Sequence, residues 1–142
     1  MKKLDTILLV DDDAPTNFFN KLIIKKIDCA EKVDVTLNGL DALQYLKNMY
    51  QLNKCQPDLI LLDINMPSMN GWEFLEEYSK LDFIHKKSSA IIIMLTTSLN
   101  PCDMEKANAI KAISGFAHKP FTTDNLSLII TKHFMEKEKQ LI

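Results

Sequence analysis

Asp58-Leu59-Ile60-Leu61-Leu62-Asp63 (residues 58–63) decides the fold: four consecutive aliphatic side chains closed at each end by a carboxylate. A strand with one wet face alternates apolar and polar residues, because successive side chains point to opposite sides of the sheet. This run does not alternate, so it reads as a strand, Asp58–Leu62, covered on both faces as in the interior of a parallel sheet. Outward from it lie four more short apolar segments, Leu4–Val10, Lys32–Leu37, Ala90–Leu95 and Gly115–His118.

Helical spacing fills the gaps. Phe18, Phe19, Leu22, Ile23 and Ile27 recur at helix periodicity, as do Leu40, Leu43 and Leu46; Trp72, Leu75 and Tyr78; and Ala107, Ile110 and Ile113. A last set, Leu126, Ile129, Ile130 and Phe134, follows the fifth strand. Each set predicts a stripe facing the core, with Phe74 also assigned to it. Asp13 with Pro15 makes a helix start, Asn38-Gly39 separates the second strand from the second helix, and Thr122, Thr123 or Asp124 caps the last one. Lys47–Gln56 carries a helix end and a surface loop, Leu81–Ser89 is a smaller irregular stretch, and Lys137–Ile142 extends the last helix. The alternation is (βα)5, an α/β doubly wound five-stranded parallel sheet with helices on both faces.

At 142 residues the chain is expected to be a single domain over 1–142, with its core at about 4–135 and no effector domain. Hydrophobic residues make up 46% of it, enough to fill a core without disulfides or a structural metal. The net charge is −2, which argues against direct nucleic-acid binding, since that needs a basic excess. Cys29, Cys55 and Cys102 are odd in number and far apart, and so read as buried or neutral thiols in a reducing compartment. The longest apolar run, Ala90–Leu95, is far short of the roughly 20 residues a membrane span needs. The expected location is the cytoplasm, without membrane insertion.

Polar residues stand where the strands stop. Val10 is followed by Asp11-Asp12-Asp13, Leu62 by Asp63, Leu95 by Thr96-Thr97-Ser98, and the fifth strand by Lys119-Pro120. In an open parallel sheet these carboxyl ends share one edge, where ligands bind. Carboxylates about 4 Å apart repel by roughly 4 kcal/mol per pair at an effective dielectric near 20, so such a cluster calls for a cation. Hard oxygen donors suit Mg²⁺ with a phosphoryl group, Lys119 adds a fixed positive charge, and Thr96 adds a hydroxyl. Asp63, at the end of the central strand, is the nucleophile candidate for an aspartyl-phosphate.

With these residues in place, the sequence resembles the receiver domain of two-component response regulators, in particular the single-domain, chemotaxis-regulator-like type. The matching stretches are ILLVDDD at 7–13, DLILLDINMPSMNGWEFL at 58–75, IIIMLTTS at 91–98 and GFAHKPF at 115–121. The resemblance implies a flavodoxin-like three-layer sandwich with strand order 2-1-3-4-5. It implies that Asp63 is the phosphoacceptor, served by a sensor histidine kinase or a histidine phosphotransfer protein. Asp11, Asp12, Asp63 and the backbone carbonyl of Asn65 would hold Mg²⁺. Lys119 would pair with Asp63 and then with the phosphoryl oxygens, Thr96 would move to bond the phosphoryl group, and Phe116 would turn inward. A cis bond is implied before Pro120. The face made by the fourth helix, fifth strand and fifth helix would read out the change to a downstream protein target or through a homodimer.

Phe116 stands where chemotaxis members often carry Tyr, so an outward hydroxyl contact is not available. Asn65 and Thr97 lie beside the site at positions that vary in the family and influence phosphoryl lifetime. Two other functions fit parts of this pattern. A phosphatase of the haloacid-dehalogenase type would place its nucleophile first in a DxDx(T/V) motif and needs a later acidic pair, but position 15 is Pro and no strand end after Thr96 supplies the pair. A scaffold that never turns over phosphate would have no use for Asp11, Asp12, Asp63, Thr96 and Lys119 together. The expectation is a signalling switch rather than an enzyme, its chemistry limited to its own phosphoryl group.

Overall fold

The computed structural model describes residues 3–81, 90–97 and 100–135. The irregular stretch expected over Leu81–Ser89, beyond Leu81 itself, and the helix extension over Lys137–Ile142 fall outside these residues, as does Ser98. The elements run β1 (Leu4–Val10), α1 (Ala14–Ile27), β2 (Ala30–Thr36), α2 (Gly39–Gln51), β3 (Leu59–Asp63), α3 (Gly71–Ser79), β4 (Ile91–Thr96), α4 (Pro101–Ala109), β5 (Gly115–His118) and α5 (Thr123–Ile130). A π-helical turn, Thr131–Met135, continues α5.

All strand pairs are parallel, in the order β2-β1-β3-β4-β5. This is the expected flavodoxin-like α/β sheet. The chain leaves β1 toward β2 and returns to β3 on the other side, so the sheet changes direction between the two strands that end in carboxylates. Register aligns those ends, with Val10 beside Leu62, Asp63 beside Leu95 and Thr96 beside His118.

The unbroken apolar runs in β1, β3 and β4 feed two cores. Ile7, Leu9, Leu59, Leu61, Ile93 and Leu95 face α1 and α5. Leu8, Val10, Ile60, Leu62, Ile92 and Met94 face α2 and α3. Each helix start is capped where the sequence offered a short polar side chain: Asp13 on α1, Asn38 on α2, Asn70 on α3, Asn100 on α4 and Thr122 on α5. Asn70 and Thr122 both make reciprocal capping boxes. The stretch Lys47–Gln56 is a helix end and loop, as read.

One helix corrects its sequence reading. The apolar stripe assigned to α1 is only partly inward: Ile23 is buried and Ile27 packs on the core, but Phe18 is 66% exposed, Phe19 50% and Leu22 49%, and Asn17, Asn20 and Ile24 take the inner positions instead. With Phe and Asn interleaved, the periodicity fits either face, and the orientation is decided by what the inner positions must bond. Leu40 is also exposed, and α4 ends at Ala109, leaving Ile110 and Ile113 beyond it. Cys29 is buried, whereas Cys55 and Cys102 are exposed.

Candidate functional site

The edge formed by the carboxyl ends of the strands brings together residues far apart in sequence. Asp11 follows the last residue of β1 and is buried, Asp12 beside it is exposed, and Asp63 closes β3 at 9% exposure. One carboxylate oxygen from each lies within 4.8 Å of the others. Lys119, after β5, reaches across the sheet end, its Nζ donating to Asp11 Oδ2 at 2.8 Å and lying 3.0 Å from Asp63 Oδ1. Its backbone N–H donates to the carbonyl of Thr96 at 2.8 Å, which ties β5 to the end of β4. The Lys119-Pro120 bond is cis, as the resemblance implied. Thr96 is buried at this edge, Phe116 is half-buried with its ring edge-on to His118, and Asn65 is exposed beyond β3.

Electrostatics follow from this crowding. Burial pushes the Asp63 carboxyl up from the ordinary aspartate value, and the charge of Asp11 adds to that rise, while the hydrogen bond and charge of Lys119 pull the other way. Lys119 also loses hydration, which lowers it, but its bonds to Asp11 and Asp63 raise it further, and its net shift is upward. One ammonium faces three carboxylates, so the pocket keeps excess negative charge. A hard all-oxygen donor set of this kind fits Mg²⁺, which takes one or two carboxylates and keeps waters for a phosphoryl ligand.

Local structure holds the acids in place. Asp11 Oδ1 accepts the N–H of Asp13 at 2.9 Å, and the N–H of Asp11 donates to the Thr36 carbonyl at 3.1 Å. After Asp63 the chain turns sharply, with Gly71 N–H donating to the Ile64 carbonyl at 2.8 Å. A Cβ on Gly71 would sit 2.5 Å from the Asp63 carbonyl oxygen, so only glycine lets α3 start this close to the nucleophile candidate. Gly39 N–H, opening α2, donates to the Met69 carbonyl at 3.0 Å and pins the same loop from the far side.

The sequence reading named every acid, the lysine and the threonine at this edge. It missed the supports. Gly71 was detectable as a glycine at a helix start, but Asn17, whose Nδ2 donates to the Asp11 carbonyl at 2.8 Å, was hidden because Phe18, Phe19 and Leu22 were assigned to the inner face of α1.

Comparison with known proteins agrees with this arrangement. The family described as "Response regulator receiver domain" matches residues 7–131. The chain belongs to the response regulator receiver domain family. A crystal structure of a two-component response regulator from Cytophaga hutchinsonii superposes on this receiver domain with a TM-score of 0.83 at 34% identity, covering 92% of this chain and 97% of the other. Among curated relatives, hybrid signal transduction histidine kinase B of Dictyostelium discoideum is 34% identical over 93% of this chain and 7% of its own length. A probable C4-dicarboxylate response regulator of Halalkalibacterium halodurans is 27% identical over 95% of this chain and 56% of its own length. The receiver domain thus spans only part of these relatives. Among the described residues, no helix is long and apolar enough to cross a membrane.

Proposed function

We propose that this receiver domain is a phosphorylation-controlled binding switch in which Asp63 accepts the phosphoryl group. The observation that carries the reading is Lys119 Nζ set between Asp11 at 2.8 Å and Asp63 at 3.0 Å, against three converging carboxylates. A carboxylate oxygen of Asp63 forms the new bond to phosphorus as the bond to a phosphohistidine nitrogen breaks, and the departing imidazole takes up a proton. Lys119 stays beside the acceptor oxygen and neutralises charge gathering on the phosphoryl group. Asp11, Asp12, Asp63 and the Asn65 carbonyl would hold Mg²⁺, whose contribution is to spread the charge of the phosphoryl oxygens.

Output follows from differential contact. A phosphoryl group with nearly two negative charges rewards the conformation in which Thr96 donates to it, with Phe116 following inward. A few hydrogen bonds to charged groups, at about 1.5 to 3 kcal/mol each, suffice to exchange a minor for a major state. The face of α4, β5 and α5 would present the result to a protein target or to a second copy. A groove of about 240 Å³ between β5 and α5, with the exposed Leu128 on its rim, supports that assignment.

The donor is a protein, a sensor histidine kinase or a histidine phosphotransfer protein. The outward Phe18, Phe19 and Leu22, on the helix that starts at the pocket, support docking of a protein there. The chemistry is confined to the receiver domain's own phosphoryl group, acting in the cytoplasm.

Intact mass after incubation with Mg²⁺ and acetyl phosphate tests the reading. One phosphoryl mass that requires Mg²⁺ and disappears in Asp63→Ala is expected. A folded protein that takes no phosphoryl from acetyl phosphate, phosphoramidate or a histidine phosphotransfer protein would support the scaffold, and rapid hydrolysis of unrelated monoesters would support the phosphatase.

A further inference from the structure

The inner face of α1 poses a problem that the fold alone does not answer. Asn17, 5% exposed, sits where an amphipathic helix would place an aliphatic residue. Its Oδ1 is buried without a hydrogen-bond partner among the described residues, a state that carries an uncompensated desolvation cost. Its Nδ2 makes one bond, 2.8 Å to the carbonyl of Asp11. That carbonyl belongs to the peptide unit joining Asp11 to Asp12, the two neighbouring carboxylates of the cluster.

We propose that Asn17 is a positioning residue for the cation site: by holding the Asp11–Asp12 peptide plane it sets the direction of both carboxylates. The preceding peptide is already held, since the Asp11 N–H donates to the Thr36 carbonyl at 3.1 Å. With planar peptides on either side of Asp11 both anchored, the rotations about its Cα are fixed and with them the direction of its Cα–Cβ bond, while the Asp13 N–H and Lys119 Nζ hold the carboxylate itself. Remove the Asn17 bond and the second plane is free to turn, which swings Asp12 relative to Asp11 and Asp63. A half-satisfied buried amide is tolerated because it orients charges that the apolar alternative would leave loose. The outward placement of Phe18, Phe19 and Leu22 is consistent with this, because turning Asn17 toward the strand end turns those neighbours to solvent.

This inference rests on the reading of Asp11, Asp12 and Asp63 as a Mg²⁺ site, and the experiment separates the two. Titration calorimetry with Mg²⁺ is run on the full chain, on Asn17→Leu and on Asn20→Leu, alongside thermal melting without metal. Asn20 is equally buried one turn further along α1 and has no bond to Asp11 among the described residues. Asn17→Leu is expected to weaken Mg²⁺ binding by about ten- to a hundredfold, the scale seen when outer-shell partners of a metal site are removed. Its melting temperature is expected to hold or rise, since Leu fills a similar volume without an unpaired oxygen, and Asn20→Leu is expected to keep the parent affinity.

Unchanged affinity in a folded Asn17→Leu overturns the proposal. Equal weakening in both variants also overturns it, because packing of the helix would then be the cause. Absence of Mg²⁺ binding in the unaltered chain is a different failure, that of the phosphoacceptor reading beneath it. Should Asn17→Leu not fold, nuclear magnetic resonance of the unaltered protein decides. The Asn17 side-chain amide protons are expected to shift on addition of Mg²⁺, and their constancy while the Asp12 backbone amide moves would overturn the assignment.

Discussion

Helices α1 and α3 both begin at the acid pocket and both carry aromatic residues, yet they spend them in opposite ways. On α3, Phe74, Leu75 and Tyr78 are buried against β3 and β4, and Trp72 packs at their margin with the Lys106 ammonium 4.6 Å over its ring. On α1, Phe18, Phe19 and Leu22 face out while two asparagines face in. The two helices meet different demands at the strand ends. Asp63 is positioned by the turn before α3, through Gly71, and the α3 side chains are free to serve the core. Asp11 is positioned in part from within α1, through Asn17, and Phe18, Phe19 and Leu22 turn away as a result.

The largest effect expected from this contrast is Phe74→Ala, about 3 to 5 kcal/mol of lost stability from a fully buried ring, read by denaturant unfolding. Truncation of Phe18, the mirror experiment, should cost no more than about 0.5 kcal/mol, and a loss comparable to that of Phe74 would break the comparison. Gly71→Ala comes next. The added methyl runs into the Asp63–Ile64 backbone, so a loss of about 1 to 3 kcal/mol is expected, together with slower phosphoryl uptake by Asp63 in the mass assay.

Stability against pH sharpens the account of the pocket. Because the folded state raises the Asp63 pKa above its usual 3.8, the fold binds that proton more tightly than the unfolded chain does. The contribution of this group is therefore present at acid pH and lost as pH rises through the raised value. Mg²⁺ should reverse the trend by favouring the carboxylate, and a stability profile identical with and without the ion would contradict the assignment of Asp63 to the cation site. The smallest effect is Lys106→Met, about 0.5 to 1 kcal/mol for a cation–π contact at the surface, with a change in emission from the lone Trp72 as the more sensitive readout.

Strand count, parallel pairing and the gathering of Asp11, Asp12, Asp63, Thr96 and Lys119 at one edge were legible in the sequence. Unbroken apolar runs have a single stable use in a chain of this size, a sheet covered on both faces, and its strand ends converge by construction. The start of α2 at Asn38-Gly39 and the cap at Asp13 were equally plain, since a short polar side chain there satisfies backbone N–H groups that nothing else can reach. The face of α1 was legible only in its second half, where Ile23 and Ile27 lie inward as read. In its first half Asn17, Phe18, Phe19 and Asn20 are consecutive, and apolarity points to the phenylalanines whereas the asparagines lie inward.

Local chemistry thus determined the elements, their order and the identity of the reactive edge, because periodicity, caps and strand-end residues act over a few positions. Tertiary structure decided which side of α1 lies inward, which glycine must stay bare and which oxygen each lysine proton meets. Those choices depend on bonds between residues such as Asn17 and Asp11 or Lys119 and Asp63, whose strength is set by burial and distance that a linear pattern does not contain.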